Sequence, residues 1–170
     1  MKKAGLYPFL LLLGMSLLIA SCGSDDDDSN SFTFDGMTYS LTTGVIEYYG
    51  ENFDGSHDYD VTLLGDGFSI GNSEVSGTGD LVYLDLNTSS NGGLESGTYS
   101  WSANRAPLTI VSGSAAALNF NTETLTGTPI TITGGSITVD VNGAEVTITM
   151  SLEAGSQLLT GTYTGPLQDI

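Results

Sequence analysis

From Phe32 onward, apolar and polar residues alternate in short runs separated by Gly, Asn, Asp and Ser, and no window carries a helical period. Period-two alternation is the signature of half-buried β-strands, and Thr, Val, Ile and Tyr enrichment strengthens it. Two hairpins follow from register. A two-residue Asp35-Gly36 loop sets Phe34 opposite Met37, Phe32 opposite Tyr39 and Thr33 opposite Thr38. A two-residue Asn142-Gly143 loop sets Val141 opposite Ala144, Val139 opposite Val146 and Ile137 opposite Ile148, one apolar face. On the other face Thr138 meets Thr147 and Asp140 meets Glu145. Further strands are expected over 42–49, 57–64, 67–70, 81–87, 97–102, 108–119 (bent), 128–133 and 158–164. Loops are expected over 50–56, 71–79, 88–96, 103–107 and 154–157. Roughly ten strands joined by short turns predict an all-β domain, an antiparallel meander-rich β-barrel or β-sandwich. The stretch 81–86 is apolar on both faces, so that strand is covered on both sides or lines a ligand space.

The N-terminus has a different pattern. Met1-Lys2-Lys3 precedes an apolar stretch over 4–20 interrupted by Pro8 and Gly14. A basic start, an apolar middle and small residues before a cut site form a secretory signal. The stretch falls short of the roughly 20 residues a membrane-spanning helix needs. It ends in Leu18-Ile19-Ala20-Ser21-Cys22, which resembles the lipobox of bacterial lipoproteins. That resemblance implies a diacylglyceryl group on the Cys22 thiol, cleavage before Cys22 and acylation of the new amine. Several acyl chains hold a membrane where one holds it marginally. Cys22 is also the only cysteine, which excludes an intramolecular disulfide and a cysteine-based metal site.

Gly23-Ser24-Asp25-Asp26-Asp27-Asp28-Ser29-Asn30-Ser31 follows, polar throughout and unable to build a core. It reads as a solvated spacer reaching about 30 Å at most. An acidic run directly after the lipidated cysteine resembles the export signal of surface-exposed lipoproteins of the Bacteroidota. The resemblance covers Cys22 to Asp28 and implies outer-membrane anchoring with display on the cell surface; a periplasm-facing position is the alternative. The chain thus divides into a removed signal peptide over 1–21, a lipidated cysteine and disordered acidic linker over 22–31, and an all-β domain over 32–170.

Charge narrows the partners. Cleavage removes Lys2 and Lys3, takes the formal charge from −17 to about −19, and leaves Arg105 as the only strong cation. Such a surface has nothing with which to neutralise phosphates, which excludes nucleic acid. The length suits one domain with one core.

Candidate chemistry is sparse. Gly67-Phe68-Ser69-Ile70-Gly71 matches the G-x-S-x-G pattern, but no helix follows it and the only histidine, His57, lies upstream. His57 is flanked by carboxylates, yet zinc needs three or four N or S ligands. For calcium, Asp54, Asp58 and Asp60 cluster in sequence and Asp140 faces Glu145 across the predicted hairpin, so these five are the candidate ligands. Against them stands the reading of solvated surface acid, with no cofactor. Tyr99 and Trp101 share one strand face and are the candidate glycan platform, although a lone Trp in a small β-domain is usually packed in the core.

These observations predict a lipid-anchored envelope lipoprotein with a non-enzymatic β-domain. Its partners are the membrane, through Cys22, and a glycan, small molecule or envelope protein. The alternatives are a structural or adhesive pilin-like component and, more distantly, a hydrolase.

Overall fold

A computed structural model describes residues 30–170; the expected signal peptide over 1–21, Cys22 and the Asp25–Asp28 run lie outside the described residues. These residues form fourteen strands and no helix. In chain order they are β1 (Ser31–Phe34), β2 (Met37–Ser40), β3 (Thr43–Glu51), β4 (His57–Leu64), β5 (Phe68–Gly71), β6 (Glu74–Thr88) and β7 (Gly97–Ser102). There follow β8 (Thr109–Val111), β9 (Ala115–Asn121), β10 (Thr126–Thr131), β11 (Gly134–Asn142), β12 (Glu145–Ala154), β13 (Gln157–Gly165) and β14 (Leu167–Asp169). Strand β1 opens at Ser31, the last residue of the span expected to be linker.

The sheet runs β14-β3-β4-β6-β8-β7-β11-β12-β13-β1-β2, with β5 and β9 pairing on β6 and β10 on β9. It is a curled, open half-barrel of about fourteen strands, rather than a closed barrel or sandwich of ten. Nor is it purely antiparallel: β14 runs parallel to β3 and β8 parallel to β7. The two flanks approach through packing instead of a ladder. A Cβ on Gly44 of β3 would lie 3.1 Å from the Tyr163 ring of β13 and closer still to Leu167. Only a glycine admits that approach.

The concave side carries the core. Val61 and Leu63 of β4, Val82, Leu84 and Leu86 of β6, and Ile137, Ile148 and Leu152 of β11 and β12 are all buried there. Each such side chain contributes about 1.5–3 kcal/mol on leaving water. The Asp35-Gly36 hairpin has the predicted register, and both loop residues take positive φ as a type I′ turn demands. The second hairpin is shifted. Asn142 pairs with Glu145, Val141 with Val146, and Val139 with Ile148, so the loop is Gly143-Ala144. The positive φ falls on Gly143, its first residue, the φ pattern of a type II′ turn. A two-residue shift preserves the apolar face, but Asp140 now meets Thr147 instead of Glu145. The predicted strand 108–119 is two strands, parted by the bridge between Ser112 and Ser114. The predicted loop 71–79 is largely the first half of β6, folded onto β5.

Candidate functional site

Strands β4 and β6 bury one face in the core and turn the other outward. In their ladder Leu64 opposes Leu81, Thr62 opposes Tyr83, Asp60 opposes Asp85 and Asp58 opposes Asn87. Because side chains alternate, all eight share the outer face, which grades from apolar to acidic along the strands. Asp85 and Asn87 are buried even so. The cover comes from the segment between β7 and β8. Parallel neighbours cannot be joined by a tight turn. The chain therefore crosses back over 103–108 and brings Arg105 over β6. Where the ladder on that side changes from β9 to β8, the Asp85 N–H donates to Ser114 Oγ at 3.0 Å.

One oxygen from each of Asp58, Asp60 and Asp85 lies within 4.8 Å of the others. Arg105 supplies the positive charge. Its Nη1 and Nη2 donate to Asp85 Oδ1 and Oδ2, both at 2.9 Å, the two-pronged geometry a guanidinium suits. Nη1 also donates to Asn87 Oδ1 at 3.2 Å and stands 2.7 Å from Asp58 Oδ1 as a charge contact. Tyr83 Oη donates to Asp60 Oδ2 at 2.6 Å. A bond chain continues outward, with Asn52 Nδ2 donating to Asn87 Oδ1 and to Ser56 Oγ, and Ser56 Oγ donating to Asp54. The buried Asn87 Nδ2 has no partner among the described residues.

The electrostatics follow from three carboxylates sharing one guanidinium. Burial and the neighbouring Asp58 push Asp85 up to about 6 against the pull of Arg105. Burial raises Asp60 too, with the Tyr83 hydrogen bond opposing. Burial and the Asp60 carboxylate hold the Tyr83 hydroxyl protonated, far above its ordinary range. Burial lowers the Arg105 affinity for its proton, but the bonds and charges of Asp85 and Asp58 outweigh it.

An apolar groove adjoins the cluster. About 290 Å³ in volume, it is walled by Leu64, Phe68, Val75, Leu81, Tyr83 and Phe120. A second hollow of about 310 Å³ shares Leu81 and Phe120 and extends to Leu125 and Pro129.

The predicted candidates distribute unevenly over this geometry. Asp58 and Asp60 belong to the cluster. Asp54 does not: it accepts from the Ser56 backbone and hydroxyl, bonds that hold its carboxyl below the usual range. Asp140 and Glu145 are not cross-strand partners and lie in the β11–β12 hairpin. His57 accepts or donates a 2.8 Å bond with Tyr48 at the start of β4. Tyr99 is fully buried with its hydroxyl on Glu95, and Trp101 packs against the core, so the two form no exposed sugar platform. Ser69 bonds Ser76 across the β5–β6 hairpin, with no helix following it. Asp85 and Arg105 were missed by local reasoning. Their signal is non-local: an aspartate between Leu84 and Leu86 needs a buried partner, and after residue 22 the sequence offers one arginine.

Comparison with known proteins finds no matching family model, curated protein or solved structure.

Proposed function

We propose that the chain is a lipid-anchored lipoprotein of the bacterial outer membrane, displayed on the cell surface, whose β-domain binds a ligand without transforming it. The anchor rests on Leu18-Ile19-Ala20-Ser21-Cys22 and the surface address on Asp25–Asp28. The observation that carries binding over catalysis is the Arg105 fork. It occupies both oxygens of Asp85, the carboxyl otherwise best tuned for proton transfer. The sheet edges lend little support to a strand-exchanging, pilin-like role. Strand β2 has four residues, and edge strand β10 carries Pro129, which has no N–H to donate.

Two readouts test the proposal in cells. Radiolabelled palmitate should enter the wild-type protein and not Cys22→Ser, and protease added to intact cells should digest the wild-type domain. Equal labelling of both proteins would overturn the anchor. A domain fully protected until the outer membrane is permeabilised would place it facing the periplasm.

A further inference from the structure

The outer face of β4 and β6 changes character over two residue pairs. Leu64 and Leu81 stand at one end, Thr62 and Tyr83 next, then Asp60 and Asp85. Tyr83 belongs to both regions: it lines the 290 Å³ groove, and its hydroxyl reaches Asp60 Oδ2 at 2.6 Å. The carboxylates differ in what they leave free. Both oxygens of Asp85 are taken by Arg105. Asp60 Oδ1 accepts no hydrogen bond from a described residue and, in a half-buried side chain, is not fully enclosed. Glu47 of β3 pairs opposite Asp60 in the ladder and adds charge of the same sign. An apolar hollow walled by Thr62 and Tyr83 thus lies one residue pair from a carboxylate with one oxygen uncommitted, in a cluster whose three acids exceed its one arginine.

We infer that this groove binds a small amphiphilic organic cation, its apolar body against Leu81 and Phe120 and its ammonium group at Asp60. The inference rests on the binding reading above and names its ligand class. Charge complementarity selects this occupant. A second copy of the chain would bring about −19 more charge to the same place. An anionic amphiphile meets the acids directly, and a neutral one leaves Asp60 Oδ1 without a partner. A bare metal ion would gain nothing from the apolar wall, and Arg105 already stands among the acids. An ammonium satisfies the free oxygen while the groove takes the hydrocarbon out of water.

The test uses the chain from residue 22 onward with Cys22→Ser, in detergent-free buffer of low ionic strength. Titration calorimetry compares decylammonium, decyl maltoside and decyl sulfate below their micelle concentrations. Saturable binding of the ammonium, about tenfold tighter than the maltoside and with no measurable sulfate binding, is expected. Asp60→Asn should remove that preference and leave maltoside affinity unchanged, while Phe120→Ser should weaken both. Circular dichroism establishes folding, and Glu47→Gln, which leaves the Tyr83–Asp60 bond in place, gives a smaller loss if Asp60→Asn fails to fold. Equal affinity for ammonium and maltoside overturns the inference. So does an equal loss from the remote Asp140→Asn, which would mean general attraction to an acidic surface. Failure here leaves palmitate labelling and surface digestion untouched, and failure there leaves this calorimetry untouched.

Discussion

Arg105 is the one residue whose removal leaves charges of a single sign packed together. Asp58 and Asp85 have side chains 17% and 10% exposed, and both rest on its guanidinium. Breaking a fully buried pair costs roughly 3–5 kcal/mol because the orphaned charge stays behind. Arg105 is 36% exposed, so water can screen part of that loss. Arg105→Ala should therefore destabilise the domain by about 2 kcal/mol in urea unfolding. Arg105→Lys should recover less than half of it, since an ammonium cannot fork onto both Asp85 oxygens. Full recovery by lysine would show that the fork geometry is immaterial. Asp85 also sets a pH dependence. Its folded pKa is raised, to about 6, above the value near 3.8 expected without the fold. Between those values the folded chain binds the extra proton. Stability from this group is thus gained as pH falls and lost as pH rises through about 6. Between pH 4.5 and pH 7.5 the wild type should lose more urea resistance than Asp85→Asn. A larger loss in the variant would reverse the sign and reject the assignment.

At the scale of elements, Gly44 decides whether the two flanks of the half-barrel can meet. A valine there would drive into Leu167 and the Tyr163 ring. Overpacking of this kind costs about 1–3 kcal/mol. Gly44→Val should also release the parallel β14–β3 pairing, seen as faster hydrogen exchange over 167–170. Unchanged protection there would mean that β14 is held by other contacts. The elements legible in the sequence are those with local causes. Asp35-Gly36 sets its own register because both residues accept positive φ. Strands β4 and β7 were legible to the residue from alternation and flanking turns. The Asn142-Gly143 register missed because the turn uses Gly143 as its first residue, with the positive φ there and Ala144 completing the loop. The first half of β6 is Ser-, Thr- and Gly-rich and half exposed, so alternation has little apolar contrast to display. The site follows the same division. Asp58 and Asp60, two apart on one strand, were visible together. Asp85 and Arg105 were not, because their meeting depends on parallel strands β7 and β8 and the crossover between them.

For the whole molecule, almost every long-range charge interaction is repulsive. From residue 22 onward the sequence carries a formal charge of about −19 with Arg105 as its only strong cation, and both ion pairs among the described residues use that one side chain. Self-repulsion of this kind strains the compact state, while an expanded chain relieves it by distance. Screening acts on that repulsion directly. The Debye length falls from about 30 Å at 0.01 M salt to about 8 Å at 0.15 M, from roughly the span of the domain to well inside it. Thermal unfolding should shift upward by several degrees as sodium chloride rises through that range. The sign is opposite to that of a protein held by surface ion pairs, whose attractions salt weakens. Calcium and magnesium chlorides at equal ionic strength should produce matching shifts, because Arg105 already supplies the positive charge among Asp58, Asp60 and Asp85. A saturable extra shift with calcium, removed by chelator and absent from Asp60→Asn, would instead show a bound ion at that cluster. A melting temperature that falls with sodium chloride would mean that attraction, not repulsion, governs the folded surface.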